Sequence, residues 1–438
     1  MAFSLHGIHV PHRKNTQNKP VAQMDPPQTV TIPMSMHIGS PATLTVKVGD
    51  TVKVGTKIGE ASGKVSVPVY ASVSGTVKKI SELPLASGGM TGAVVIESDG
   101  MMTPDEALTP PTVSNREELI EAIRQSGIVG LGGAGFPTHV KLDINPDRIK
   151  HIIINGAECE PYVTSDSVTM VEYHEDMAYA IGALRQHLGI HSVIIGIEAN
   201  KKKAISSMMR MAKENSGECR ISVKILPSIY PQGGEKVLIY HTTGLTVPAG
   251  KLPIDVGCIV LNCTTLASIG AYLRTGMPLV RKCVTVDGGA VKKPQNVIVP
   301  IGTSLSDVFA FCGGLICEPA KILYGGPMMG VTVPDPALPI MKNTNAILAL
   351  TEQETARPVT TACIRCGSCT NVCPFGLSPT DIARAYRKQD TNELEKLAVN
   401  TCMECGCCSF VCPANRPLVQ TNKMSKALLR ESKEKESK

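Results

Sequence analysis

The chain has 438 residues, of which 43% are hydrophobic and 19% are charged, and its formal net charge at pH 7 is +6. This composition is that of a globular protein with two to four domains, and the scattered lysines exclude an extended nucleic-acid interface. The 16 cysteines show no disulfide pattern, no apolar stretch is long enough to cross a membrane, and the N-terminus lacks the features of a signal peptide. We therefore predict a protein of the reducing cytoplasm.

The first hundred residues predict an arm followed by a small β domain. Residues 1–30 are polar and rich in Pro, His and Lys, as in an extended arm. Residues 31–100 contain short β-runs separated by glycines and Gly-Asp turns, which is typical of an all-β sandwich. Residues 48–55 resemble half of a biotinyl or lipoyl barrel-sandwich domain, in which a lysine at a hairpin tip is modified. Lys64 lies near that position, but its sequence context differs from a lipoyl tip, so we interpret the domain as structural.

Residues 112–275 predict an α/β domain. A Ser-x-x-Glu capping box at Ser114 and Glu117 indicates the start of its first helix. Apolar strands and amphipathic helices then alternate, at residues 151–155, 176–187, 192–197, 201–214 and 222–226. The basic cluster at residues 201–203 is interpreted as a solvated helix face. This β-α-β-α-β order indicates a parallel sheet with helices on its faces.

A glycine-rich loop precedes the first strand of this domain and reads Gly130-Leu-Gly132-Gly133-Ala-Gly135-Phe-Pro137. Its letters satisfy the dinucleotide fingerprint, but that fingerprint follows a strand, whereas a helix precedes this loop. We interpret the loop as a general phosphate cradle, because glycines let the backbone approach a phosphate and Pro137 suits the first turn of an anion-attracting helix. A glycine-rich surface turn is the alternative.

Two cysteine runs near the C-terminus both follow the C-x2-C-x2-C-x3-C-P spacing of two-cluster ferredoxins. Three closely spaced thiolates can hold three corners of a [4Fe-4S] cubane, and the fourth cysteine of each run lies too far along the chain to reach the same cluster. The predicted ligands of cluster 1 are therefore Cys363, Cys366, Cys369 and Cys412. The predicted ligands of cluster 2 are Cys402, Cys405, Cys408 and Cys373. Structural zinc is the alternative, and two matched runs that both end in Cys-Pro count against it.

The remaining segments carry weaker signals. Residues 280–345 alternate strands with one helix, and residues 379–399 indicate helices between the two cysteine runs. Cys407 is interpreted as an additional packing thiol. Residues 425–438 alternate charges and are predicted to be a disordered tail.

Four segments resemble the flavin-binding subunit of the respiratory complex I family, in the same order. They are Gly132-Gly-Ala-Gly-Phe-Pro-Thr138 with Lys141, Asn155-Gly-Ala-Glu158-Cys-Glu160-Pro161, Tyr230-Pro-Gln-Gly233-Gly234-Glu235 and Asn262-Cys-Thr-Thr265-Leu-Ala. The resemblance implies that the phosphate and ribityl part of FMN is held by Gly130, Gly132, Gly133 and Lys141. It implies that the flavin is lined by Asn155, Glu158, Gly233 and Asn262, and that Gly234 also belongs to the cofactor-binding residues. It places toward the nicotinamide nucleotide Glu160 and Glu235.

The whole domain order resembles the RnfC (RsxC) family of the Rnf electron-transport complexes. A barrel-sandwich domain, a flavin domain, a β-grasp (SLBB) module at residues 280–345 and a two-cluster ferredoxin domain at residues 355–424 predict a multidomain α/β fold. The resemblance implies an oxidoreductase subunit that works with NAD(H), non-covalently bound FMN and two [4Fe-4S] clusters, without a catalytic acid or base of its own. It also implies a peripheral position on the cytoplasmic face of the cell membrane, beside membrane subunits and an iron–sulfur subunit.

Two departures from the complex I pattern leave alternatives open. Leu131 and Ala157 stand where that pattern has an arginine and an aspartate. A soluble flavin and iron–sulfur corrinoid reductase would share the architecture, and a non-enzymatic electron relay would have lost nucleotide binding. The combination of cofactors favours the oxidoreductase, because a flavin accepts a hydride and also exchanges single electrons with iron–sulfur clusters.

Overall fold

The computed structural model describes residues 6–84, 88–215, 217, 220–356 and 358–436. The chain begins with an extended arm that contains the short strand β1 (Ala22–Gln23). The N-terminal β domain (residues 29–98) then forms two antiparallel sheets around an apolar core. Its strands are β2 (Thr29–Pro33), β3 (Thr43–Leu44), β4 (Thr51–Val52), β5 (Lys57–Glu60), β6 (Val69–Tyr70), β7 (Gly75–Pro84) and β8 (Met90–Ser98).

The parallel-sheet domain (residues 116–275) confirms the predicted alternation of strands and helices. Its elements are α1 (Arg116–Gln125), α2 (Thr138–Leu142), β9 (His151–Gly156), α3 (Ser165–Glu172), α4 (His174–Leu188), β10 (Ser192–Glu198), α5 (Lys202–Glu214), β11 (Arg220–Leu226), α6 (Glu235–Thr243), β12 (Cys258–Asn262) and α7 (Cys263–Thr275). The strands are all parallel, in the order β11-β10-β9-β12. Helices cover both faces, so Ile152 and Ile153 on β9 are buried on opposite sides of the sheet.

The start of α1 corrects the predicted capping box by one residue. Asn115, and not Ser114, is the N-cap, and its side chain accepts a hydrogen bond from the backbone N–H of Glu118 at 2.9 Å. Glu118 in turn accepts from the backbone N–H of Ser114 at 2.7 Å, whereas the prediction gave this role to Glu117. Asparagine caps a helix as well as serine does, so Asn115 can take the position that the prediction gave to Ser114.

Lys201 also differs from the sequence prediction. Lys202 and Lys203 are exposed, as predicted for a solvated helix face, but the Lys201 side chain is buried. Its Nζ lies 2.6 Å from a carboxylate oxygen of Glu198, which is equally buried. A lysine is buried only when its charge is paired, and the partner ends the preceding strand β10.

The mixed-sheet domain (residues 281–350) follows the parallel-sheet domain. Its elements are β13 (Arg281–Asp287), β14 (Gln295–Pro300), α8 (Leu305–Phe311), β15 (Lys321–Tyr324), β16 (Val331–Val333) and β17 (Ala346–Leu350). The sheet has the order β1-β14-β13-β17-β15-β16, so the N-terminal arm supplies its edge strand. The arm is therefore part of a folded domain more than two hundred residues away in sequence.

The cysteine domain (residues 359–436) is helical, and the short helix α9 (Glu352–Thr355) leads into it. Its helices are α10 (Ser368–Asn371), α11 (Pro379–Arg387), α12 (Thr391–Lys396), α13 (Cys407–Phe410) and α14 (Leu418–Glu436). The one-turn helices α10 and α13 each begin inside a cysteine run, after Gly367 and Gly406 in the left-handed conformation. In the part of the chain that the structure describes, none of the helices combines the length and the apolar composition of a membrane span.

The prediction of a disordered tail at residues 425–438 is wrong as far as the structure describes that segment, because α14 continues through it. Leu429 is buried against Leu394. Lys433 forms a 2.5 Å ion pair with Glu395. Both partners belong to α12, so the segment with alternating charges is a helix that packs against α12.

The arm is fixed to the parallel-sheet domain by Lys14. Its Nζ donates hydrogen bonds to the backbone carbonyls of Glu158, Glu160 and Val163, at 2.8, 2.8 and 2.5 Å. One side chain thus satisfies three carbonyls of the loop that follows β9. Burial lowers the pKa of Lys14, although the nearby carboxylate of Glu158 acts in the opposite direction.

We predict that Lys14→Met destabilises the protein, because three buried carbonyls lose their donor. The expected loss is about 1–3 kcal/mol of the free energy of unfolding, measured as a lower midpoint in thermal denaturation. Lys19→Met is the matched control, since Lys19 is exposed and donates to a single carbonyl, that of Pro294. Equal midpoints for the two variants would show that the three hydrogen bonds do not hold the arm.

Candidate cofactor sites

The first candidate site lies at the edge of the parallel sheet where the strand order reverses. Strands β10 and β11 lie on one side of β9, and β12 lies on the other. Open α/β sheets bind ligands outside the carboxyl ends of the strands at such a point. Asn155 on β9 and Asn262 on β12 are paired in the register near these ends. The sheet therefore brings together two residues predicted from separate motifs.

The glycine loop lies directly against this edge. A Cβ added to Gly132 would lie 2.5 Å from Nδ2 of Asn262, so a larger residue would displace the asparagine. The backbone N–H of Leu131 donates to Thr265 Oγ1 at 2.9 Å and fixes the loop to the start of α7. A Cβ at Gly133 would meet no atom within 4 Å, and Gly133 is exposed. The loop thus has one closely packed glycine, Gly132, and one that faces open space, Gly133. The region bordered by this loop, Asn155, Asn262 and Gly233 is called the cleft.

The helix expected after the loop has only five residues. In this helix, α2, Pro137 is the N-cap instead of a residue of the first turn. A helix of this length contributes little dipole. The helix therefore adds little to the attraction of an anion, and a phosphate would depend mainly on the backbone of the loop.

The mixed-sheet domain supports the loop from beneath, which the sequence did not reveal. The buried Lys282 donates to the carbonyl of Leu131 at 2.8 Å and to the side chain of Asn345. Asn343 Nδ2 donates to the carbonyl of Gly133 at 3.1 Å. Burial lowers the pKa of Lys282 to about 7. The shape of the loop is therefore set by two domains together.

Asn155 is in direct contact with the loop that carries Gly233. Its Nδ2 donates to the carbonyl of Gly233 at 2.9 Å, and its Oδ1 accepts from the backbone N–H of Ala157 at 3.2 Å. The N–H of Gly233 points to Cys159 Sγ at 3.2 Å. These contacts close the second wall of the cleft.

Lys141 and Glu235 were assigned to different parts of the ligand, and the structure pairs them. Lys141 Nζ lies 2.8 Å from Glu235 Oε1 and also donates to the carbonyl of Val260 at 2.8 Å. Both side chains are partly exposed. They form a charged rim at the same sheet edge.

Glu158 is placed behind the cleft, where it acts through a neighbour. Its carboxylate accepts from the backbone N–H of Asp166 at 2.6 Å and from Ser167 Oγ at 2.5 Å, at the beginning of α3. Asp166 then accepts from Asn262 Nδ2 at 2.7 Å and from Thr264 Oγ1 at 2.8 Å. Burial raises the pKa of Glu158 to about 7. Asp166, which no motif indicated, orients the asparagine of the cleft.

Glu160 connects the parallel-sheet domain to the mixed-sheet domain. Its carboxylate accepts from the backbone N–H groups of Met328 and Met329, at 3.0 and 2.8 Å. The carbonyl of Met328 in turn lies beside Gly406 in the second cysteine run. Burial raises the pKa of Glu160 to about 7.

The second candidate site is a cavity between the cysteine runs. Four of the thiols that line it belong to the predicted ligand set of cluster 2, namely Cys373, Cys402, Cys405 and Cys408. One of these thiols, Cys373, comes from the first run and has crossed to the second. The donor set is therefore the one that a [4Fe-4S] cubane requires.

The thiols predicted for cluster 1 lie nearer to the surface. Cys369 packs beside Cys412, which has crossed from the second run. Cys363 and Cys366 are exposed. In the described part of the chain all eight of these cysteines are free of disulfides, so they are available as ligands.

The cysteine domain contacts the cleft through its second run. Tyr230, at the start of the Gly233 loop, is buried, and its hydroxyl donates to the carbonyl of Cys405 at 2.8 Å. A Cβ on Gly234 would overlap Met403 Cε, so the two loops are in close contact. Cys407 is buried in the same apolar cluster, with its Sγ 3.9 Å from the carbonyl of Tyr230, as expected of a packing thiol.

Comparisons with known proteins agree with this architecture. Family models match residues 3–101 (RnfC barrel sandwich hybrid domain), 123–271 (Nuo51 FMN-binding domain), 283–332 (SLBB domain) and 359–424 (4Fe-4S dicluster domain). The C subunit of the Na(+)-translocating ferredoxin:NAD(+) oxidoreductase complex of Acetobacterium woodii is 42% identical over 394 residues, which are 89% of this chain and 88% of the relative.

Two further relatives are similar over most of their length. The C subunit of the proton-translocating ferredoxin:NAD(+) oxidoreductase complex of Clostridium ljungdahlii is 42% identical over 85% of this chain and 82% of its own. The C subunit of the ion-translocating oxidoreductase complex of Rhodobacter capsulatus is 40% identical over 98% of this chain and 84% of its own. The chain belongs to the RnfC family of ion-translocating ferredoxin:NAD oxidoreductase complexes. This confirms the resemblance and the multidomain fold class predicted from the sequence.

The family domains imply FMN and two [4Fe-4S] clusters, and the glycine loop and the cluster 2 thiols fit FMN and one cubane. The cleft offers open space at Gly133, where a side chain would otherwise stand, beside the two asparagines of the sheet edge. In the cysteine domain the four cluster 2 thiols line a single cavity. Of the cluster 1 set, Cys369 and Cys412 lie in one apolar cluster, and Cys363 and Cys366 are exposed.

We predict that Gly133→Val abolishes FMN retention. The backbone φ of Gly133 lies outside the left-handed region and its Cβ position is free, so the valine should fit the protein and occupy the cleft. Flavin content and thermal midpoint would be measured on the purified variant. Gly92→Val on β8 is the control, because a Cβ there also meets no atom within 4 Å. Normal flavin content in Gly133→Val would remove the loop from the site.

Proposed function

We propose that this chain is the NAD(H)-reactive peripheral subunit of a membrane-bound, ion-translocating ferredoxin:NAD oxidoreductase. It carries electrons between NAD(H), FMN and two [4Fe-4S] clusters, on the cytoplasmic face of the cell membrane. The observation that supports this most is the contact between the cleft and the cysteine domain, where Tyr230 and Gly234 meet Cys405 and Met403. A hydride-accepting site and a one-electron site are useful together only if they lie close to each other.

In this proposal the cleft binds the flavin without a covalent bond. Gly130, Gly132 and Gly133 present backbone to its phosphate and ribityl chain, and Lys141 supplies positive charge at the rim. The flavin is lined by Asn155, Gly233, Gly234 and Asn262. When bound, FMN supplies the exchange of a hydride with the nicotinamide and of single electrons with iron–sulfur clusters.

The three glutamates of the predicted site have different roles in this proposal. Glu235 remains on the rim, where its pairing with Lys141 leaves it partly exposed toward an incoming nucleotide. Glu158 holds Asp166 in the position that orients Asn262. Glu160 keeps the mixed-sheet domain against the cleft loop. We propose no protein acid or base for the hydride step.

The two departures from the complex I pattern do not weaken this proposal. Leu131 and Ala157 are both fully buried, so neither side chain faces the open cleft. A non-enzymatic relay that had lost nucleotide binding would be expected to have lost the cleft itself. The contacts that join Gly132 to Asn262 and Asn155 to Gly233 count against that interpretation.

The exposed cysteine run supports a redox partner in the same complex. Cys363 and Cys366 are exposed, and the neighbouring apolar side chains Val359 and Ile364 are 81% and 67% exposed. Apolar side chains beside an exposed ligand set are what an electron-transfer contact requires. We propose that an iron–sulfur subunit docks here, with further subunits at the membrane.

The proposal predicts about eight iron atoms and about one FMN per chain after anaerobic purification. Iron would be quantified colorimetrically and the flavin would be extracted by acid and identified by chromatography. Reduction of the bound flavin by NADH under anaerobic conditions would then test the nucleotide site. A preparation with both clusters but no flavin, and no reaction with NADH, would favour the non-enzymatic relay.

We predict that Cys412 and Cys373, the last cysteines of the two runs, each bind the cluster of the other run. Cys412→Ala should give the electron paramagnetic resonance spectrum of Cys363→Ala, and Cys373→Ala should give that of Cys402→Ala. All four variants should still oxidise NADH with a two-electron dye that reacts at the cleft, and should fail to reduce a one-electron protein partner. If Cys412→Ala lost only the signal that Cys402→Ala loses, the crossed assignment would be wrong. If the variants reduced the protein partner at the rate of the unmodified protein, the clusters would not lie on the electron-transfer path.

A further inference from the structure

Asn422 is a buried polar residue on the inner face of α14. This face also carries Leu418, Ser425 and Leu429, which lie three to four residues apart and are all buried. Ser425 satisfies its hydroxyl within the helix, by donating to the carbonyl of Thr421 at 2.8 Å. Asn422, which is 1% exposed, has no such local partner and points out of the helix. Its position therefore calls for a partner in the cysteine domain.

The partner is a predicted ligand of cluster 2. Asn422 Nδ2 lies 3.4 Å from Cys402 Sγ, a distance within hydrogen-bonding range for sulfur. Asn422 also lines the cavity that is shared by the four cluster 2 thiols. The side-chain amide thus points at a sulfur that would carry negative charge when it binds iron.

Stability does not explain an asparagine at this position. Its Oδ1 is buried without a hydrogen-bond partner among the described residues. An unsatisfied buried carbonyl costs about 1–3 kcal/mol, which a leucine of similar size would avoid. The asparagine is therefore best explained by the contact that its N–H group makes.

The two predicted clusters differ in this respect. In cluster 2, the backbone N–H of Leu377 also points to a ligand, Cys373 Sγ, at 3.4 Å. Within residues 358–436, no side-chain amide contacts a thiol of the cluster 1 set, whose Cys366 is exposed beside Ser368. The nearest cation to Cys402, Lys426, donates to its backbone carbonyl and is paired with Glu404 at 2.5 Å.

We propose that Asn422 is a positioning residue that raises the reduction potential of cluster 2. A [4Fe-4S] cluster becomes more negative when it is reduced, and hydrogen bonds to its sulfur ligands stabilise the reduced form. The N–H of Asn422 offers such a bond to Cys402, on the cluster that lies against the flavin cleft. This inference rests on the cluster assignment of the proposed function.

The test is a redox titration of the full-length protein, purified anaerobically and followed by electron paramagnetic resonance. Asn422→Leu should lower the reduction equilibrium constant of cluster 2 by about tenfold, the effect of losing one hydrogen bond to a charged group, which is about 59 mV for a one-electron couple. The potential of cluster 1 should not change. Asn422→Gln, which keeps an amide donor on a longer side chain, should shift the potential less.

Gln420→Leu is the matched control, because Gln420 is exposed on the same helix. An unchanged cluster 2 potential in Asn422→Leu, or equal shifts of both clusters, would overturn the proposal. If Asn422→Leu and Asn422→Val both lose cluster 2 iron while cluster 1 remains, Asn422 retains the cluster and does not tune it, which also overturns the proposal. If the unmodified protein does not contain two clusters, the proposed function fails before this inference is reached.

Discussion

The hydrogen bond from the Tyr230 hydroxyl to the carbonyl of Cys405 connects the proposed flavin cleft to the cysteine domain. Tyr230 begins the loop that forms one wall of the cleft, and Cys405 lies in the middle of the second cysteine run. Electron transfer between protein-bound cofactors requires short distances, so the domains that hold them cannot move freely. The apolar cluster around Tyr230 and Cys407 excludes water from this contact. The rest of the architecture keeps this contact in place.

Charged side chains at the domain boundaries hold the domains together; Lys282 is buried, and Lys14 and Glu160 are partly buried. Lys14 comes from the arm and Lys282 from the mixed-sheet domain, and each donates to backbone carbonyls of a loop at the cleft. Glu160 leaves the cleft loop in the opposite direction and accepts from the N–H groups of Met328 and Met329. A charged group is buried only if its hydrogen bonds are complete. Separation of the domains would leave these charges unpaired, so the assembled arrangement is favoured.

The sequence predicted those features that depend on local spacing. The cysteine runs, the glycine loop and the strand–helix alternation each lie within a short window, where spacing and period carry the signal. Asp166, Lys282 and Asn422 were missed because their partners are distant or depend on which helix face is buried. The charged tail was misjudged for the same reason, since the docking of Leu429 against another helix does not appear in its local composition.

The two predicted clusters differ in the solvent exposure of their ligands and in the hydrogen-bond donors around them. Two of the predicted ligands of cluster 1, Cys363 and Cys366, are exposed, so solvent would stabilise the additional charge of its reduced form. Cluster 2 lies between the cysteine runs and the cleft, where burial disfavours that charge. Leu377 N–H and the Asn422 amide point to thiols of the buried set, whereas the exposed Cys366 of the cluster 1 set is in contact with the hydroxyl of Ser368. On the proposed assignment, these donors would allow cluster 2 to be buried and still accept an electron.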